Sequence, residues 1–296
     1  MIPRHLQYLG YRLLRRSPRF QRFIAHFSQL ALESYLIQDF ITQPYGAAYG
    51  LTAADRARLV EQFRHIVTRV PSGTPALVQT ILARELLTLP PDTLGDVIEC
   101  GVWKGATSAS LSLVCEMTGR RLIVADSFAG LPGTNPYLYR VDHMQSYDYL
   151  EPGRFRGTLD EVRANIRDYG ALAVCSFLGG WFADTLPTLD RPLVFAFLDA
   201  DLESSTRDCL RAIWPLLAEG GLIYTDDAGN MAVVRIFFDE PWWQTHCGEP
   251  APGFIGSGSG LPIMPITSSI GYIRKQRPTA LDGWRRTYNH SFLPFQ

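Results

Sequence analysis

From Leu94 onward the chain alternates short apolar runs with stretches of helical period. The runs are Asp96–Cys100, Arg121–Ala125, Ala173–Leu178, Pro192–Leu198 and Gly221–Thr225. Helices are predicted between them at about 104–118, 158–169 and 202–217, the second opened by the capping-box pattern Thr158-Leu-Asp-Glu161. Runs that are apolar on both faces and separated by helices describe parallel strands covered on both sides, so the predicted fold is a doubly wound α/β domain. After Asp227 the pattern predicts a helix near 231–240, a Gly-rich stretch at Gly253–Gly260 and a last strand near Ser269–Arg274.

Before Leu94 the pattern is helical throughout. Thr52-Ala-Ala-Asp55 reads as a capping box opening a helix through about Val70, and Thr74-Pro75 as an N-cap and first-turn proline for a helix through about Leu87. The first 32 residues carry Arg4, Arg12, Arg15, Arg16, Arg19 and Arg22 and no acidic residue, with Tyr8, Leu9, Leu13, Leu14, Phe20, Phe23, Ile24 and Phe27 among them. Two readings fit this segment: an arm packed on its own domain or a twin subunit, and a basic amphipathic helix on an anionic membrane surface. The expected organisation is a helical extension over 1–90, followed by a ligand-binding domain over 91–296 with a lid-like insertion near 136–157.

Composition narrows the classes. The 296 residues are 46% hydrophobic and 19% charged, which suits a packed globular chain. A net charge of −1 offers no global basic field for nucleic acid. No apolar stretch approaches the length of a membrane span, and Arg12, Arg15 and Arg16 interrupt any candidate signal peptide. The five cysteines are odd in number and lack metal-ligand spacing, which fits a reducing cytoplasm. Lys104 and Lys275 are the only lysines.

In an open parallel sheet, ligands bind beyond the carboxyl ends of the strands, and those ends are acidic here. The first strand ends at Glu99 and Cys100 and turns through Gly101, where the backbone can bend closely around a ligand. The second ends at Asp126, the position that takes ribose hydroxyls in nucleotide-binding halves; it lies 27 residues after Glu99. The fourth runs into Asp199-Ala-Asp201 and the fifth into Asp226-Asp227. Like charges gathered on one rim call for a cation between them, and oxygen-only ligands suit Mg²⁺, Mn²⁺ or Ca²⁺. Asp201 alone has a plainer reading as a helix cap, and Asp227 one as the organiser of its own turn.

The segments VIECGVWKG (97–105), DSFAGLP (126–132), GTLDEVRANIRDYG (157–170), GGWFADTLP (179–187), FLDADLESST (197–206) and GGLIYTDDAG (220–229) together resemble the macrocin O-methyltransferase (TylF) family. The resemblance implies a Rossmann-like class I methyltransferase fold and transfer of methyl from S-adenosyl-L-methionine to a sugar hydroxyl with a divalent cation, Mg²⁺ or another. It implies that Glu99 and Gly101 meet the methionine part of the cofactor, Asp126 the ribose, and Gly180 and Trp181 the adenine. Trp103, Ser127 and Asp199 complete the expected cofactor contacts. Asp199, Asp226 and Asp227 are the implied metal ligands. Where the family commonly reads DGDLYEST this chain has DADLESST, and Ala228 follows the paired aspartates in place of a tyrosine. These departures bear on acceptor recognition.

Asp199 is the first candidate for the base that takes the hydroxyl proton, being already on the rim. His143 is the second, within the aromatic-rich stretch Tyr137–Tyr149. Trp242-Trp243 belongs either to the acceptor pocket or to the core. The rivals are a cofactor-binding protein without turnover and an NAD-dependent oxidoreductase. The latter lacks both G-x-G-x-x-G and Tyr-x-x-x-Lys, since Cys100 and Gly271 stand four residues before the two lysines. The expected partners are a small-molecule hydroxyl acceptor and a second copy of the chain, with no nucleic acid.

Overall fold

The computed structural model describes residues 18–133, 151–253, 255–257 and 270–276. Three helices come first: α1 (Pro18–Thr42), α2 (Ala53–Arg69) and α3 (Ala76–Thr88). The capping box of α2 forms as expected. The Asp55 backbone N–H donates to the Thr52 hydroxyl at 3.3 Å, and the Asp55 carboxylate accepts from the Thr52 N–H at 2.9 Å. Helix α3 starts one residue later than predicted, because Pro75 is itself the cap and its carbonyl takes the first helical bonds from Val78 and Gln79. Thr74 does not cap it.

The sheet then builds in order: β1 (Asp96–Cys100), α4 (Ala106–Thr118), β2 (Leu122–Asp126), α5 (Leu159–Tyr169), β3 (Cys175–Gly179), α6 (Phe182–Thr185), β4 (Leu193–Leu198), α7 (Glu203–Leu216) and β5 (Leu217–Thr225). Two short helices follow, α8 (Met231–Ile236) and α9 (Glu240–Cys247), where one helix over 231–240 was expected. Pro241 has no N–H to carry the helical ladder on from α8 and is tolerated only in a first turn, so a new helix starts there, and Asp239 caps it by accepting from the Trp242 N–H at 3.2 Å. Strands β6 (Ile255–Ser257) and β7 (Gly271–Arg274) complete the described chain. No helix among the described residues is long and apolar enough to cross a membrane.

Among the described residues the strand order is β3-β2-β1-β4-β5-β7-β6. The first five are mutually parallel; β7 lies antiparallel to both β5 and β6. The winding reverses between β1 and β4, whose last residues Cys100 and Leu198 pair in register. Side chains alternate across the sheet, as a pleated strand requires. Val97, Val124, Phe195 and Phe197 meet Phe40, Phe63, Leu82 and Leu86 of the N-terminal helices on one face. Ile98, Ile123, Ala196 and Leu198 meet Leu210, Ile213 and Trp243 on the other. Burying each large side chain in these layers contributes about 1.5–3 kcal/mol. The first three helices are therefore one cover of the sheet rather than an appendage to it. Trp243 is fully buried and its indole N–H donates to the Ile236 carbonyl at 2.8 Å, which puts that residue in the core.

Candidate functional site

A crevice opens where the winding reverses. Gly101 leaves β1 at φ +87°, and a Cβ there would overlap the Asp199 carbonyl oxygen, so the ends of β1 and β4 approach as closely as only glycine allows. The Asp199 N–H donates to the Cys100 carbonyl at 2.9 Å and the Asp226 N–H to that of Leu198 at 3.0 Å, locking the strand ends side by side. The cleft above them has a volume of about 540 Å³, within the range of small-molecule sites.

Glu99 points into the cleft from β1 yet is only 1% exposed. The Ser108 hydroxyl, from the first turn of α4, donates to its carboxyl. Burial first, and then the charge of Asp126, pushes the Glu99 pKa up to about 8, against the lowering effect of the Ser108 bond. Asp126, at the end of β2, accepts from the N–H groups of Val102 and Phe128, each at 2.7 Å. Burial raises its pKa, and those backbone bonds oppose the rise. The Ser127 hydroxyl reaches the same carboxylate only at 3.5 Å, a contact long enough to give way to a ligand hydroxyl. Ser127 donates to the Gly130 carbonyl at 3.0 Å and shapes the turn beyond. The Gly180 N–H donates to the Asp126 carbonyl at 3.0 Å. Trp181, 43% exposed, then stands at the rim as a flat aromatic surface.

The carboxylates of Asp199, Asp201 and Asp227 bring one oxygen each within 4.8 Å of one another. The triad expected from the sequence had Asp226 where this one has Asp201. Successive side chains leaving β5 diverge, so Asp227 turns to the Asp201 N–H, which it accepts at 3.0 Å, while Asp226 lines the cleft beside them. Asp201 does not cap α7, whose N-cap is Leu202 without a side-chain bond. Burial, followed by the surrounding carboxylates, pushes Asp199 and Asp227 well above the ordinary range and Asp201 to about 7. Three half-buried, mutually repelling oxygen donors fit a hard divalent cation.

Four residues other than glycine have positive φ among the described residues: Trp103, Phe128, Phe155 and Asp201. Three of them line the cleft, and Phe128 follows the lining residues Asp126 and Ser127. Backbone held in this region costs of order 1–3 kcal/mol per residue and persists where the surroundings impose it. The stems of the insertion are clamped here. Leu131 on the outgoing stem bonds to the returning one, its N–H reaching the Arg154 carbonyl at 2.9 Å and its carbonyl accepting from the Gly153 N–H at 2.9 Å. The Trp103 and Phe155 rings meet edge to face at 5.5 Å. His143 lies outside the described residues.

Sequence reasoning missed three parts of the cleft. Pro71 to Thr74, ahead of α3, form one wall. That wall is held from behind: Gln79 donates to the Thr74 carbonyl at 3.1 Å and accepts from Ser110 of α4 at 2.6 Å, all three being about 1–2% exposed or less. Asp201 is the second part, named from the sequence as a rim carboxylate but left out of the assigned ligand triad. Asp208, with Ser204 and Ser205, is the third, on the face of α7 toward the cleft. Glu203, a departure from the family pattern, has an architectural partner: it accepts from Arg207 at 2.9 Å, and Arg207 reaches Asp239 at 3.0 Å, tying α7 to the start of α9.

Residues 86–249 match the family model described as macrocin O-methyltransferase (TylF). The 8-demethyl-8-(2,3-dimethoxy-alpha-L-rhamnosyl)-tetracenomycin-C 4'-O-methyltransferase of Streptomyces olivaceus is 40% identical over 139 residues, 45% of this chain and 52% of that protein. The mycinamicin III 3''-O-methyltransferase of Micromonospora griseorubida is 34% identical over 139 residues, 45% of this chain and 55% of that one. The chain thus spans about half the length of the curated relatives it matches. In fold it is similar to the O-methyltransferase NovP, with a TM-score of 0.56 and 23% identity over 74% of this chain and 97% of that one.

Proposed function

The chain belongs to the macrocin O-methyltransferase family, and from that premise we propose that its cleft binds S-adenosyl-L-methionine and directs the methyl group to a hydroxyl of a sugar or other natural-product intermediate. The observation that carries this reading is the pair of carboxyls at adjoining strand ends, Glu99 buried and Asp126 half-buried, in the same cleft as Asp199 and Asp201, which cluster with Asp227 behind them.

In this reading Glu99 receives the α-ammonium of the cofactor beside the Gly101 turn, Trp103 closes over it, and Asp126 with Ser127 takes the ribose hydroxyls. Gly180 and Trp181 border the adenine, with Trp181 offering its face. When bound, the cofactor supplies an electrophilic methyl on a sulfonium, and a divalent cation would lower the pKa of an acceptor hydroxyl. Asp199, Asp201 and Asp227 would hold that cation, with Asp226 beside them. In the same reading Asp199 accepts the hydroxyl proton, and His143 is the second candidate for that role. The stems at Leu131 and Phe155, together with the Pro71–Thr74 wall, narrow the mouth and exclude water from the reacting atoms. Ser204, Ser205 and Asp208 offer hydroxyl and carboxylate groups for an acceptor's own hydroxyls.

Calorimetric titration of S-adenosylhomocysteine, with and without Mg²⁺, tests the reading, with Asp126→Ala alongside. Micromolar binding that the variant loses while still folded supports it. Absence of binding by the parent protein in both conditions removes the cofactor assignment.

A further inference from the structure

Helix α1 carries one apolar seam along its length. Phe23, Phe27, Leu30, Ile37 and Ile41 recur at spacings of three, four and seven, which puts them on one helical face. Its C-terminal part is spoken for within the molecule. Ile37 and Phe40 are buried against α2 and α3. The buried Arg56 fixes that end by donating to the carbonyls of Ile41 at 3.1 Å and Tyr45 at 2.8 Å. The N-terminal part of the same seam is open to solvent, whatever else it touches: Phe23, Phe27 and Leu30 are 62%, 61% and 50% exposed, the two rings stacked at 6.5 Å.

The charge around this exposed stretch has one sign. Arg19 and Arg22 flank it on the helix, four more arginines precede it, and the first acidic residue of the chain is Glu33. A second copy docked through the same face would bring two such arms together with no acid among their first 32 residues to meet them. A surface of negative charge with an apolar layer beneath it meets both features. We propose that the N-terminal half of α1 is a docking surface for an anionic lipid membrane. Phe23, Phe27 and Leu30 enter the headgroup–acyl boundary, and Arg19 and Arg22 lie among the phosphates. The helix lies along the interface and does not cross it. This inference stands apart from the methyl-transfer reading, because it uses no residue of the cleft.

Co-sedimentation of the full chain with vesicles of phosphatidylcholine alone, or of phosphatidylcholine with phosphatidylglycerol, tests it. Binding to the anionic vesicles is expected to exceed binding to the neutral ones at least ~10-fold and to weaken with salt. Phe23→Ser with Phe27→Ser is expected to abolish it, and Arg19→Gln with Arg22→Gln to reduce it several-fold, with both variants retaining the melting temperature of the parent. Equal binding to both vesicles, binding to neither, or binding unaffected by the variants overturns the proposal. So does light scattering that shows a dimer of the parent, free of lipid, dissociated by the phenylalanine substitutions.

Discussion

Replacing Glu99 by glutamine separates what the buried carboxyl costs the fold from what it does for a ligand. Its pKa is lifted from 4.5 to about 8, chiefly by burial. Between those two values the folded protein holds a proton that the unfolded chain has released, so stability falls as pH rises through the interval. The full stability of the group is present below about pH 4.5 and is lost above about pH 8. At about 1.4 kcal/mol for each pH unit, the interval sets an upper limit near 5 kcal/mol. Water entering the cleft reduces this, so about 2–4 kcal/mol is expected. Glutamine keeps the shape and an acceptor for Ser108 and carries no charge. In urea unfolding across a pH series, Glu99→Gln should therefore gain stability over the parent as pH rises, by about 2–3 kcal/mol between about pH 5.5 and 8.5. The same variant should bind S-adenosylhomocysteine at least ~10-fold more weakly, since the ammonium loses its counter-charge. Parallel stability curves for the two proteins would refute the reasoning, because they would mean that Glu99 is not a destabilised buried acid.

Three further outcomes follow from the same geometry. Gly101→Ala, whose Cβ would strike the Asp199 carbonyl, is expected to cost at least ~3 kcal/mol in urea unfolding and to abolish ligand binding. Mg²⁺ is expected to raise the melting temperature more at about pH 8 than at about pH 6, because protons compete for raised-pKa carboxylates. Asp201→Asn should remove most of that rise in thermal scans. Gln79→Leu leaves the Thr74 carbonyl and the Ser110 hydroxyl without their partner, worth about 1–3 kcal/mol. It should raise the KM for the methyl donor several-fold while kcat at saturation stays unchanged in steady-state assays.

Much of the frame was readable before any coordinates. Strand β1 spans the predicted Asp96–Cys100, and the Thr52–Asp55 box opens α2, because both depend on patterns local to a few residues. The acidic strand ends were also legible, since a doubly wound sheet brings the carboxyl ends of its strands to one edge. Relations between distant segments were not. Nothing near Pro71–Thr74 announces a cleft wall; the wall exists because α3 packs on α4 through Gln79 and Ser110. The exchange of Asp226 for Asp201 in the closest acidic triad depends on how the chain leaves β5 and on a positive φ at Asp201, which residue type alone does not encode. The break between α8 and α9 was in plain view at Pro241 and outweighed the apolar period across it.

The wall contributed by Pro71–Thr74 also has a consequence for the order of assembly. This segment leaves the ribosome well before the strand ends of Asp199 and Asp226 that it faces across the cleft. The pocket is accordingly a contact of high sequence separation, closed only once the early helices have docked on a sheet synthesised after them. Any ligand of the cleft then recognises the finished molecule and none of its partly folded forms. Bound ligand, at free concentration L, then adds RT ln(1 + L/Kd) to the free energy of unfolding with nothing lost to partly folded forms, so protease susceptibility with and without ligand reports on the docking of the first helices as much as on the sheet.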